Sequence, residues 1–144
     1  MGKKNNNHSV EIILSNQIGY ERIAMACSAT FAQMLGLSSD RIEDLKTVVA
    51  EAAVNAMEHG NKGLPNSRVR VSMNYKDNAI NVAVTDEGKG IKVFPPKPDI
   101  ERIIEQLDPP IGFGIFLIKQ LTDKVEFSLA PNKGHVVNMS INIA

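Results

Sequence analysis

Apolar and polar residues follow two periods along this chain, and the points where one period gives way to the other predict its elements. The run 10–14, VEIIL, is apolar and β-branched, the mark of a strand. Ser15 and Asn16 behind it are candidate helix caps. Ile23, Cys27, Phe31 and Met34 then recur at spacings of four, four and three as far as Gly36, which predicts an amphipathic helix ended by a glycine. Ser38, Ser39 and Asp40 offer a second cap, with Glu43 placed for a capping box. The helix they open runs to about His59, where Gly60 stops it, and its inner stripe is Leu45, Val49, Ala52 and Ala56. From there the period is two. Val69, Val71, Met73 and Tyr75 alternate with Arg68, Arg70, Ser72 and Asn74, and after a turn at Lys76, Asp77 and Asn78 the alternation resumes through Ile80, Val82 and Val84, as in a hairpin.

The second half begins with DEGKGI at 86–91 and a long segment holding five of the seven prolines, between positions 94 and 110. Within it Ile100, Ile103, Ile104 and Leu107 have helical spacing behind Asp99, so a short helix carried on a loop is expected. A glycine-opened apolar helix at 112–122, a strand at 125–129, a turn at 131–134 and a last strand at 135–143 complete the chain. This order puts neighbouring strands in hairpins. It predicts an α+β fold, a two-layer sandwich with a mixed, mostly antiparallel sheet and helices on one face. Met25, Met34, Met57, Met73 and Met139 read as core filler.

Composition narrows the classes. With 144 residues the chain has the size of one domain, read as a tail at 1–9 and a single domain at 10–144. Sixteen Lys and Arg cancel sixteen Asp and Glu, so there is no net basic face for nucleic acid and no direct nucleic-acid partner is expected. No apolar run approaches the length of about 20 residues that crosses a bilayer, so no membrane association is expected. Cys27 is the only cysteine, which rules out an internal disulfide and suits a reducing, cytoplasmic setting.

Three segments carry candidate chemistry. Glu51 and Asn55 stand one turn apart on one side of the second helix, bordering its apolar stripe. Such a pair is either a solvated or capping pair, or a carboxylate base beside an amide oxygen that can hold a metal and a hydroxyl. Asp86 ends a strand and is followed by glycines that let a planar ligand approach the backbone, although D-x-G-x-G also makes an ordinary turn. Gly112 and Gly114 open a helix whose free N–H groups favour phosphate, or else they permit close helix packing. Other sites are excluded. There is no P-loop, no third glycine of a dinucleotide fingerprint and no G-x-S-x-G elbow, and His8, His59 and His135 are too scattered to make a zinc ligand set with Cys27.

In order and spacing, EAAVNAMEHG (51–60), DEGKGI (86–91) and GFGIFLI (112–118) resemble the N, G1 and G2 boxes of the GHKL ATPase superfamily. Within it the chain is similar, over nearly its whole length, to the small stand-alone serine kinases that act as anti-sigma factors. The resemblance implies a Bergerat-type site for ATP or ADP. Asp86 would accept the adenine amino group, Gly90 would lie against the ring, Asn55 would ligate Mg2+, and the 112–114 amides, Gly112, Phe113 and Gly114, would hold phosphates. His59, Gly88 and Ile91 would complete the nucleotide contacts, and residues from about 92 to 111 would form the ATP lid. Glu51 would be the general base toward a serine hydroxyl. The implied partners are an anti-sigma factor antagonist as protein substrate and a sigma factor, with a homodimer as the expected assembly.

Glu51 also bears on the alternatives, because sensor histidine kinases commonly lack a carboxylate there. The chain has no helix before this domain for a phospho-accepting histidine, His8 lying in the tail. A dimer-clamping ATP hydrolase is disfavoured by the absence of a transducer domain after residue 144. One departure stands out. Some of these kinases have an arginine just before the G2 glycines, and here Pro109, Pro110 and Ile111 occupy that place, leaving Lys92, Lys97 and Arg102 as the cations of the lid. Two functions follow: a serine kinase that phosphorylates the antagonist and sequesters a sigma factor, or a nucleotide-gated regulator that binds without phosphotransfer.

Overall fold

A computed structural model describes residues 8–88, 109–130 and 134–143, the side chains of 109–113 excepted. Gly90, Ile91, most of the tail, and residues 92–108, for which a lid with a short helix and three cations is expected, lie outside the described residues. Five strands form one sheet in the order β1-β2-β3-β5-β4: β1 (His8–Ser15), β2 (Arg68–Lys76), β3 (Ala79–Thr85), β4 (Lys124–Leu129) and β5 (His135–Asn142). Helices α1 (Glu21–Met34), α2 (Ser39–Asn55) and α3 (Pro109–Leu121) accompany it. The two-layer α+β expectation holds. Every pairing among the described strands is antiparallel, so the sheet is not mixed.

Strand alternation sorts the residues as the period of two predicts. Val71 faces Val84 across β2 and β3, Val82 faces Met139 across β3 and β5, and all four are buried. They meet Leu45, Val48, Val49 and Ala52 of α2 in one core. The other face of the sheet is polar, with Asn81 Nδ2 donating to Asn74 Oδ1 at 3.1 Å and Ser140 Oγ donating to Asn81 Oδ1 at 2.7 Å. The hairpin turns on Asp77 and Asn78, whose φ values of 55° and 60° are those of a two-residue type I′ turn.

Three local expectations need correction. Asn16 does not cap α1; the residue before that helix is Tyr20, which makes no side-chain cap, while Asn16 is buried and donates to Met57 O at 3.2 Å. The buried face of α1 is Ala24, Ser28, Phe31 and Ala32, and Ile23 and Met34 are 50% and 80% exposed, so Met34 is not core filler. Small residues let α1 lie close against α2, and that packing outweighs side-chain hydropathy. Ser38, not Asp40, caps α2, its Oγ accepting from Arg41 N at 3.3 Å, and Glu43 pairs with Lys46 instead of closing a capping box. Burial pushes the Cys27 thiol up from its ordinary pKa.

Candidate functional site

The second helix does not run as an α-helix to His59. At Asn55 it passes into a π turn, Ala56–Gly60, in which Asn61 N donates to Ala56 O at 2.8 Å. A single wide turn of this kind is a frequent feature of functional sites. Its consequence is geometric, because residues five apart are joined in a π turn. Gly60 therefore returns over the turn that carries Asn55, where α-helical continuation would swing it about 140° away. Gly60 also serves a purpose other than stopping the helix. A Cβ at 60 would overlap the Asp86 carboxylate, so glycine is what lets β3 and this turn close on one another.

Asp86 follows β3 directly and is 6% exposed. A buried carboxylate must be matched by donors, and here it is. Gly88 N donates to Oδ1 at 2.7 Å, closing an Asx turn with Gly88 at φ 64°, and His135 N donates to Oδ1 at 3.1 Å. The His135 ring Nδ1 lies 3.1 Å from both Oδ1 and Oδ2. On the opposite side of the strand end, a Cβ at Gly134 would overlap the Asp86 carbonyl oxygen, and Gly134 has φ 108°.

The loop leaving Asp86 is tied down by an asparagine buried to zero exposure, Asn61. Its Oδ1 accepts from Glu87 N at 2.8 Å, while Nδ2 donates to Arg68 O at 2.9 Å and to Asn16 Oδ1 at 3.3 Å. One side chain thus joins the end of β1, the π turn, the start of β2 and the loop after β3.

Helix α3 begins at Pro109, earlier than its glycines suggest. Two of the four positions whose N–H groups would point out of the helix are prolines, which have no N–H. The free amide of the described opening turn is therefore that of Ile111, and Gly112, Phe113 and Gly114 fall inside the helix. Gly114 has a different part to play: a Cβ there would lie 2.7 Å from Glu51 Oε2, 3.4 Å from Asn55 Nδ2 and 3.6 Å from Asn55 Oδ1. The close approach of α3 to α2 at this point leaves half-buried carboxylate and amide oxygens beside a spot that no side chain fills. Those are hard oxygen donors of the kind Mg2+ takes. Among the described residues, no three His, Cys, Asp or Glu side chains gather as a metal cluster.

The structure thus brings Glu51, Asn55 and Gly114 together at one end of the helical segment 51–60, and Gly60, Asp86, Gly88 and His135 together at the other. The sequence interval from Glu51 to Gly60 spans about 13 Å of helix. His59 lies between the two groups on the π turn, half exposed, with Nε2 3.6 Å from Glu58 Oε2. His135 was passed over because it lies 49 residues from Asp86; the pairing of β3 with β5 is the signal that joins them. A hollow of about 240 Å3 on the outer sheet face, lined by Ser72, Asn81 and Glu126, lies on the opposite side of the molecule. No helix among the described residues is long and apolar enough to cross a membrane.

The chain is similar to known proteins over most of its length. A family model described as a histidine kinase-like ATPase domain matches residues 15–141. An anti-sigma F factor of Oceanobacillus iheyensis is 32% identical over 128 residues, covering 83% of this chain and 82% of the relative. That of Bacillus subtilis is 26% identical over 149 residues, covering 98% of this chain and 94% of the relative. Among solved structures, the RsbU and RsbW domains of Rv1364c from Mycobacterium tuberculosis superimpose with a TM-score of 0.68 at 16% identity; the match covers 94% of this chain and 32% of that longer one. The catalytic domain of histidine kinase ThkA superimposes with a TM-score of 0.55 at 17% identity, covering 94% and 96%. These structural likenesses concern the fold.

Proposed function

Since the chain belongs to the histidine kinase-like ATPase domain family, alongside the anti-sigma F factors, we propose that it is an ATP-dependent protein serine kinase. It acts as an anti-sigma factor that phosphorylates an antagonist and sequesters a sigma factor. The observation that carries this reading is the meeting of Glu51, Asn55 and Gly114 where α3 packs on α2, at the other end of the segment 51–60 from a buried strand-end carboxylate.

Each residue has a task in that site. Asp86 accepts the exocyclic amino group of adenine, and Gly60 and Gly88 keep the surrounding backbone close. The triphosphate extends along the helix toward the Ile111 amide. Asn55 would hold Mg2+, which would neutralise charge on the phosphoryl oxygens. Glu51 takes the proton of the substrate serine hydroxyl as its oxygen attacks the γ-phosphorus, and the bond to ADP breaks. Both glycine at 114 and the half-buried position of Glu51 keep that carboxylate next to the phosphate end.

Two measurements test this. Calorimetry with Mg-ADP should show Asp86→Asn binding about 10- to 100-fold more weakly, the worth of a hydrogen bond to a charged group; equal affinity removes the purine site. With labelled ATP and the antagonist protein, Glu51→Gln should transfer label about 100- to 10,000-fold more slowly while still binding ADP. Undiminished label would remove Glu51 as base. The second reading, a nucleotide-gated regulator without phosphotransfer, is favoured by Pro109 and Pro110 at the opening of α3, where an amide or an arginine would otherwise meet phosphate. Tight Mg-ADP binding with no label on the antagonist would select it.

A further inference from the structure

The Asp86 carboxylate is held by more than backbone. Its two backbone donors, Gly88 N and His135 N, both reach Oδ1. Among the described residues, the donor near Oδ2 is the His135 imidazole, which lies 3.1 Å from each oxygen. Facing two carboxylate oxygens, Nδ1 must carry its proton and donate. Gly60 closes on the carboxylate from the π turn, so the group is clasped between a glycine and a ring. The two backbone donors hold Oδ1, and the Nδ1–H shared between both oxygens adds the side-chain donor that reaches Oδ2, the oxygen the backbone leaves for another partner.

The geometry assigns His135 as a purine-positioning residue: it orients the Asp86 carboxylate so that it accepts from the 6-amino group of the base. This inference rests on the nucleotide site of the proposed function. It makes His135 a determinant of adenine preference without requiring it to touch the base. A purely structural His135 would support the strand end for any nucleotide; a positioning His135 matters only when the nucleotide has a 6-amino group to place. The prediction therefore concerns a ratio of affinities.

Calorimetry compares ADP with purine riboside 5′-diphosphate, which lacks the 6-amino group, on wild type, His135→Leu, His135→Asn and Asp86→Asn. His135→Leu keeps bulk and loses the donor. His135→Asn keeps a donor near the place of Nδ1. The Leu variant should bind ADP about tenfold more weakly, the equivalent of part of one hydrogen bond to a charged group, and bind the deamino analogue within about twofold of wild type. The Asn variant should recover most of the ADP affinity. Equal losses for both nucleotides, an unchanged ratio in the Leu variant, or failure of the Asn variant to recover while it remains folded by circular dichroism would each overturn the assignment. Asp86→Asn separates this claim from its premise. If that variant loses ADP selectively and His135→Leu does not, only the role of His135 fails; if Asp86→Asn is without effect, the purine site fails with it.

Discussion

At the scale of single residues, two positions hold the site by opposite means, Gly60 through the atom it lacks and Asn61 through the atoms it has. Adding a methyl group at Gly60 forces it into Asp86. Gly60→Ala should cost about 1–3 kcal/mol, as overpacking does, and should weaken ADP binding because the carboxylate must move. Urea denaturation and calorimetry on the same variant check both effects. Asn61→Ala removes three hydrogen bonds made by a side chain of zero exposure, those with Glu87 N, Arg68 O and Asn16 Oδ1. Its expected cost is about 3 kcal/mol, since each buried group left unmatched is expensive. A loss of less than about 1 kcal/mol in urea denaturation would show that water replaces the amide. Of these two roles only the position of Gly60 was legible in the sequence, and for a different reason. A helix stop and a contact glycine look alike until the strand that it touches is known.

At the scale of elements, what could be read in advance was decided by whether side-chain period and burial coincide. They coincide in β2, β3 and the first turns of α2, where Val71, Val82, Leu45 and Val49 are buried as their spacing requires. They part in α1, because the inner face is chosen by how closely Ala24, Ser28 and Ala32 let two helices approach. The π turn could not be foreseen, since one widened turn leaves the hydrophobic period of Ala52 and Ala56 intact. Helix α3 is anchored by a residue no motif singled out. Arg41 at the start of α2 donates to Leu121 O at 3.2 Å and pairs with Asp44 at 2.9 Å and Asp123 at 2.7 Å. This joint sets how α2 and the end of α3 meet. Because the pairs are about a third exposed, Arg41→Ala should cost only about 1 kcal/mol. The difference should shrink in 1 M salt, roughly the concentration at which exposed pairs are screened. Chemical denaturation at two salt concentrations measures it, and a loss unchanged by salt would assign the effect to the Leu121 carbonyl alone.

At the scale of the whole molecule, the proposed site is assembled from segments far apart in the chain: 51–61, 86–88, 112–114 and 134–135. Folding brings them together, so a ligand of that site favours the folded state. At 100 times the dissociation constant, ADP should add about 2.7 kcal/mol to stability, read as a rise in unfolding temperature. The rise should be lost in Asp86→Asn, and an equal rise in that variant would place the nucleotide elsewhere. The same architecture has a genetic side. Because the side chain that secures the purine end also knots the first strand to the second, damage there cannot be confined to recognition. A cell carrying such a lesion would lose both the proposed recognition of nucleotide and the folded protein itself, and an observer of the phenotype alone could not tell the two losses apart.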